Sequence, residues 1–182
     1  MIESTDYIVT DSKNIFNHSK AQIYVDRVSY RGKEKVYLYL TSPVESVATV
    51  GITRRGEIIL THQYRHPIQR VIYDLPGGVL EPGEDPMDGA RREFEEETGF
   101  HASHIEKIGY YNQFPGTVRA ATSLFFATDL EPTHQNLDEG EELDIVFKPV
   151  SEVVEMVLRG EILDGSLQLG VLLALQKGLL DA

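Results

Sequence analysis

Glu93, Glu96 and Glu97 are the side chains of this sequence whose type and spacing best suit chemistry. On a helix that advances about 100° per residue, they fall within an arc of roughly 100°. Ionised carboxylates about 5 Å apart repel one another by roughly 3 kcal/mol per pair at an effective dielectric constant near 20. A divalent cation would offset this repulsion, and Mg²⁺ takes carboxylate oxygens and bridges to substrate phosphates. The alternative is a solvated acidic helix face, which is common for a run of glutamates.

The residues before and after the glutamates predict a loop followed by a helix. Glycine and proline punctuate residues 77–83, which favours a loop. Asp85 and Pro86 suit the start of a helix, and Gly99 suits the left-handed residue that ends one. One arc of this helix is predicted to anchor it to a core through Met87, Ala90 and Phe94.

The spacing of this stretch resembles the signature of the Nudix hydrolase family. The sequence matches that signature at Gly78, Glu84, Arg92, Glu93, Glu96, Glu97 and Gly99, with apolar Phe94 and Phe100. The resemblance implies an α/β (α+β) fold, a Nudix-type α/β/α sandwich with a mixed central sheet plus an N-terminal β-hairpin region. It also implies hydrolysis of a diphosphate that links a nucleoside to another group.

The resemblance further implies a metal site. Its ligands for Mg²⁺, with Mn²⁺ as an alternative, would be the Gly77 carbonyl and the carboxylates of Glu93, Glu96 and Glu97. Glu84 and Arg92 would orient these ligands through hydrogen bonds and an ion pair. Besides binding metal, Glu97 would belong to the catalytic group.

A catalytic base is predicted on the polar segment 134–142, which lies between two predicted strands. This segment is similar to the acidic loop of ADP-ribose pyrophosphatases. Glu139 and Glu141 are the first candidates and Glu142 is the third, and the sequence does not choose among them. An ordinary charged loop is the alternative interpretation.

Substrate contacts are predicted from two arginines and three ring-bearing residues. Arg65 and Arg70 flank a strand connection before the glycine loop, where a guanidinium can bind a diphosphate through two hydrogen bonds. Tyr37 and Tyr39 are expected to meet a nucleobase or another subunit, and Pro115 lies where the resembling enzymes keep a proline. The alternatives are surface ion pairs for the arginines and core packing for the tyrosines.

The remaining elements are predicted from alternation and turn residues. Strands are expected at 7–10, on both sides of a turn at 30–33 within 21–41, and at 46–53, 57–64, 71–75, 105–113, 121–129 and 143–150. Helices are expected to start at Ser151 and Ser166 and to continue to Arg159 and Lys177. His62 and His66 are expected to be surface imidazoles, although a metal pair is conceivable.

Composition limits the partners and the organisation. A chain of 182 residues predicts one domain, 1–182. The resemblance implies that an N-terminal β region at 1–42 contributes to a homodimer and that residues 43–182 form the Nudix core. A net charge of −12 argues against nucleic acid and anionic membranes as partners. The lack of cysteine, of a basic and apolar N-terminus and of a spanning segment predicts a soluble, cytoplasmic protein.

The predicted function is Mg²⁺-dependent hydrolysis of ADP-ribose or a related nucleoside diphosphate sugar. GDP-mannose-type or broad-specificity nucleotide-sugar hydrolysis is an alternative within the same frame, because Gly77 and Asp74 differ from the residues most frequent in the resembling enzymes. Two alternatives from other classes are a nucleotide-sensing module without hydrolysis and an acidic, cation-binding structural domain. The presence of every signature carboxylate disfavours the sensing module.

Overall fold

A computed structural model describes residues 3–42 and 44–181 of the protein. Ten strands form within these residues: β1 Tyr7–His18, β2 Ala21–Tyr30, β3 Lys33–Thr41, β4 Ser46–Ile52, β5 Glu57–Arg65, β6 Arg70–Asp74, β7 Phe100–Asn112, β8 Val118–Arg119, β9 Ala121–Pro132 and β10 Leu143–Pro149. The α-helices in the same residues are α1 Pro86–Thr98, α2 Val150–Leu158 and α3 Gly165–Gln176. No helix in the described ranges is long and apolar enough to cross a membrane.

Several predicted boundaries differ from the structure for identifiable reasons. Strand β1 runs on to His18 because it pairs with β2 along its length, with two register shifts that its polar sequence does not announce. The predicted cap at Ser151 is wrong, because α2 begins at Val150 directly after Pro149. Helix α3 begins before Ser166, since the Asp164 side chain accepts a hydrogen bond from the backbone N–H of Leu167.

The chain divides into two compact units. The first comprises residues 1–45 and 112–121, and its described part holds a four-stranded sheet in the order β1-β2-β3-β8. Strands β1, β2 and β3 are antiparallel neighbours, whereas β8 lies parallel to β3. The predicted hairpin at 21–41 is therefore present, extended by a strand on each side.

The second unit comprises residues 46–111 and 122–182, and its sheet has the order β10-β5-β4-β9-β7, with β6 paired to β5. Adjacent residues of β4 point to opposite faces. Val47 belongs to an apolar cluster with Ala90 and Phe94 of α1, whereas Val50 belongs to a cluster with Val153 of α2 and residues of α3. The mixed sheet thus lies between α1 and the last two helices, as the predicted α/β/α sandwich requires.

Candidate active site

Helix α1 presents the acidic side chains because its ends and its buried face are fixed. The Asp85 carboxylate accepts a hydrogen bond from Met87 N at 2.9 Å, and Gly99 adopts a left-handed conformation with φ 71°. Ala90 and Phe94 are fully buried against the sheet, although Met87, predicted to join them, is partly exposed. The buried face determines which way the glutamates point.

The Arg92 guanidinium connects three of the other predicted site residues, Glu84, Glu93 and Glu96. Its Nε and Nη2 atoms donate to the two carboxylate oxygens of Glu84, each at 2.9 Å. Its Nη1 atom donates to Glu93 at 2.9 Å and to Glu96 at 3.0 Å. The hydrogen bond from Arg92 lowers the pKa of Glu84. Arg92 therefore holds the carboxylates of Glu84, Glu93 and Glu96 in one arrangement.

Glu97 is the most deeply buried carboxylate of the cluster. Only 6% of the residue is exposed, and its Oε2 atom accepts a hydrogen bond from Gly77 N at 2.7 Å. Burial raises its pKa to about 8, and the charges of Glu93 and Glu141 act in the same direction. Burial also raises the pKa of Glu93. Both carboxylates would be more stable in their ionised form with a cation beside them.

The glycine loop approaches α1 and β4 so closely that side chains are excluded. A Cβ atom on Gly78 would lie 2.4 Å from Oε2 of Glu93, and one on Gly77 would lie 2.1 Å from the Val47 carbonyl oxygen. The carbonyls of Pro76 and Gly78 accept hydrogen bonds from β4 at 2.8 and 2.9 Å. The glycines thus let the loop lie directly against the carboxylates.

A second loop, residues 133–142, is tied to the end of α1. Asn136 N donates to the Glu96 carbonyl at 2.8 Å, and Gln135 Nε2 donates to the Glu97 carbonyl at 2.7 Å. Farther along, the Glu141 carboxylate accepts a hydrogen bond from Asp138 N at 3.2 Å. Its charge contributes to the raised pKa of both Glu93 and Glu97.

Glu139 and Glu142, the other two candidates for the base, differ from Glu141 in their electrostatic effect on Glu93 and Glu97. Neither Glu139 nor Glu142 is among the groups that shift the pKa of Glu93 or Glu97. Both are exposed on the same loop. Glu141 is thus the one of the three whose charge acts on the acidic cluster.

Arg65 and Arg70 lie directly opposite each other on the β5–β6 hairpin. Arg65 pairs with the buried carboxylate of Asp74, and its charge also lowers the pKa of Glu97. Arg70 is exposed at the start of β6. Like charges directly opposite on paired strands destabilise a sheet, so an anion would be favoured beside this pair.

Tyr37, Tyr39 and Pro115 line one cavity of about 310 Å³ within the first unit. Arg119 lies over the Tyr39 ring with its guanidinium carbon 4.5 Å from the ring centre, and Asp26 lines the same cavity. A cavity of this size with aromatic walls suits a planar ring. The structure therefore brings together the three ring-bearing residues predicted for substrate binding.

Sequence reasoning missed Asp26, Arg119, Asp74, Asp164 and Gln135. Asp164 has a usable signal, since an aspartate directly before Gly165 and Ser166 is a good helix cap. The others have no local signal, because their contacts join distant parts of the chain. The predicted surface imidazole of His62 stacks on Tyr73 with ring centres 4.7 Å apart.

The acidic cluster suits a divalent cation by its chemistry. Its metal-binding atoms would be carboxylate oxygens, which hard divalent cations prefer. Burial raises the pKa of Glu97, so a cation would stabilise the ionised form of this carboxylate. Among the described residues, no three acidic or histidine side chains are arranged to hold a metal ion by themselves. Mg²⁺ suits such a site because it keeps several waters and shares its remaining ligands with substrate phosphates.

One family model and several known proteins match this chain. The family model described as the NUDIX domain matches residues 42–165. The ADP-ribose pyrophosphatase of Bacillus subtilis is 30% identical over 84% of this chain and 83% of its own length. The ADP-ribose pyrophosphatase of Mycobacterium tuberculosis is 29% identical over 92% of this chain and 82% of its own.

One further relative and one solved structure are also similar to this chain. The methanol dehydrogenase activator of Bacillus methanolicus is 29% identical over 88% of each chain. A solved structure of an ADP compounds hydrolase matches with a TM-score of 0.87 and covers 98% of both chains. Its sequence identity of 20% means that this match supports the fold alone.

Proposed function

The chain belongs to the Nudix family, and on that premise we propose that it is a Mg²⁺-dependent pyrophosphohydrolase of ADP-ribose or a related nucleoside diphosphate sugar. The reaction adds water to one phosphorus and breaks the P–O bond of the diphosphate bridge. Its products are a nucleoside monophosphate and a sugar phosphate. The observation that supports this most strongly is the buried Glu97 carboxylate, held by the glycine loop beside Glu93 and within the electrostatic reach of Glu141.

The residues of α1 and the glycine loop would bind the metal. Glu93, Glu96, Glu97 and the Gly77 carbonyl supply the oxygens, and Arg92 and Glu84 hold the carboxylates in place. A bound Mg²⁺ would polarise the phosphoryl group and offset the charge that develops on it.

Glu141 is the proposed general base. It would accept the proton of the attacking water on a carboxylate oxygen, and its position on a loop anchored to α1 by Gln135 and Asn136 keeps it near the cluster. A base on a loop can also move closer when substrate binds.

Arg65 and Arg70 would neutralise the diphosphate, which is necessary on a chain with a net charge of −12. For the nucleobase, the candidates are Tyr37, Tyr39 and Pro115, which line a cavity of the first unit and could stack on a planar ring. The name of the Bacillus subtilis relative supports ADP-ribose as the first substrate to test.

We also propose that the N-terminal β region, 1–42, forms a homodimer interface. Val36, Leu38 and Leu40 project from one face of β3 and are all exposed, and the paired Ile23 and Val25 continue that face on β2. An exposed apolar sheet face of this kind favours association with a second copy. A cytoplasmic location stays a prediction, consistent with a chain that has no cysteine.

Substitutions of single glutamates on α1 test the proposal. Glu93→Gln and Glu97→Gln should each lower kcat for ADP-ribose by on the order of a hundredfold or more, because each removes a charged ligand but keeps a hydrogen-bond acceptor. Glu95→Gln is the matched control, since Glu95 lies on the same helix and pairs with His101 at 2.8 Å. Full activity of either first variant, or equal loss in the control, would contradict the proposal.

A further inference from the structure

Arg65 is held by one edge of its guanidinium. Its Nε atom donates a hydrogen bond to Oδ2 of Asp74 at 2.6 Å, and its Nη2 atom forms an ion pair with the same oxygen at 2.5 Å. The Asp74 side chain is 3% exposed, whereas that of Arg65 is 48% exposed. The contact is therefore anchored on a buried carboxylate, while about half of the Arg65 side chain is exposed.

Asp74 makes no other side-chain hydrogen bond within the described residues. Its Oδ1 atom is buried and has no hydrogen-bond partner there. Burying a carboxylate that neither caps a helix nor binds backbone N–H groups costs free energy of folding. Such a group therefore needs a reason other than stability.

Asp164 provides a second, half-buried carboxylate whose charge acts on Asp74. It caps α3 through a hydrogen bond from Leu167 N at 2.6 Å, and its charge raises the pKa of Asp74. The charge of Arg65 lowers the pKa of Asp164 and of Glu97 as well. Arg65 thus acts electrostatically on three carboxylates, but it is hydrogen bonded to Asp74 alone.

From this geometry we infer that Asp74 is a positioning residue for substrate binding, which fixes Arg65 by its Nε edge and leaves the Nη1 edge for the diphosphate oxygens. The inference rests on the proposed function for the identity of the anion. A guanidinium presents its donors in a rigid fork, so fixing one edge also fixes the direction of the other. An arginine fixed in this way loses little conformational freedom when it binds the anion.

Asp74→Asn tests this role, because it keeps the shape of the side chain and removes its charge. We expect KM for ADP-ribose to rise roughly tenfold while kcat changes by less than about threefold, because the chemistry of α1 is untouched. Asp164→Asn is the matched control, since it makes the same change in a half-buried carboxylate on which the charge of Arg65 also acts, and asparagine also caps helices well. Its KM should stay within about twofold of the original value.

The affinity for inorganic pyrophosphate, measured by calorimetry in the presence of Mg²⁺, gives a readout that does not depend on turnover. Asp74→Asn should weaken it by a similar factor and Asp164→Asn should not, with melting temperatures confirming that both variants are folded. An unchanged affinity in Asp74→Asn, or equal losses in both variants, would overturn the inference. A wild-type protein that binds pyrophosphate but hydrolyses no nucleotide sugar would contradict the proposed function, and the comparison of affinities would still decide the role of Asp74.

Discussion

Glu97 is the residue on which burial and neighbouring charge act most strongly. Its carboxylate contacts the glycine loop through Gly77 N, and burial raises its pKa to about 8. A glutamate in a solvated helix face would keep its ordinary pKa. The acidic run on α1 is therefore more than a charged surface, because one member is withdrawn into the protein.

The raised pKa of Glu97 predicts how the stability of the metal-free protein depends on pH. Between the ordinary glutamate value of 4.5 and about 8, the folded state binds a proton that the unfolded state has released. The free energy of unfolding should therefore fall as pH rises through this window. Thermal melting in EDTA should show a steeper fall between pH 5 and pH 8 for the wild type than for Glu97→Gln. Equal slopes would contradict a raised pKa at this position.

For single residues, the sequence predicts which side chains lie close together better than it predicts what each side chain does. The closeness of Glu93, Glu96 and Glu97 follows from helical spacing alone. The sequence could not favour Glu141 over Glu139 as the proposed base. The two glutamates differ in their electrostatic effect on the acidic cluster only because the folded loop places them differently. The pairing of Arg65 with Asp74 requires the β5–β6 hairpin to form first.

The glycine loop is the element that determines where the acidic side chains of α1 lie. Gly77 and Gly78 are adjacent, yet each faces a different neighbour, since a Cβ would meet backbone of β4 at the first and the Glu93 side chain at the second. The two positions therefore differ in what a new side chain would disturb, which is backbone packing at Gly77 and the Glu93 carboxylate at Gly78.

Gly78→Ala should reduce activity without a large loss of stability. The new methyl group would meet the flexible end of Glu93, which can move aside and thereby leave its place in the cluster. Gly77→Ala should instead destabilise the fold by on the order of 1–3 kcal/mol, because it meets backbone and its φ of 156° lies outside the range that alanine favours. Melting temperature and kcat should be measured for both variants. Equal melting temperatures, or a fully active Gly78→Ala, would be incompatible with this assignment.

The bounds of α1 could be predicted because each end has its own local signal, Asp85-Pro86 and Gly99. Strand β1 could not be predicted in full, because its residues after Thr10 are mostly polar and its pairing with β2 alone defines it. The start of α2 was missed for a related reason, since no side chain caps it. Elements with their own end signals are thus predictable, whereas those defined by a partner are not.

At the scale of the whole molecule, the exposed apolar face of β3 in the first unit suggests a second copy of the chain, because one chain alone gives no reason for its exposure. Leu38 is 58% exposed between Val36 and Leu40, which are exposed on the same face. The sequence indicated that both faces of this strand are apolar or aromatic, but it could not tell which face would line a cavity. In the structure Tyr37 and Tyr39 line the cavity, and Leu38 contributes to its wall as well.

Leu38→Glu should shift the proposed dimer towards monomer, because it places a charge in the apolar contact. Leu158→Glu is the control, since Leu158 is even more exposed but lies on α2 in the second unit. Light scattering coupled to size-exclusion chromatography should give a lower mass for the first variant only. A wild-type monomer at micromolar concentration would refute the dimer.

The proposed activity of the chain is hydrolysis of a P–O bond in the diphosphate bridge of a nucleoside diphosphate sugar. The most direct test is ³¹P NMR of ADP-ribose incubated with the protein in ¹⁸O-labelled water, with Mg²⁺ or with EDTA. With Mg²⁺, the diphosphate signals should give way to two monoester signals, of AMP and ribose phosphate, with ¹⁸O in one product and not in both. Persistence of the diphosphate signals with Mg²⁺, for ADP-ribose and for the other nucleotide sugars, would contradict the account.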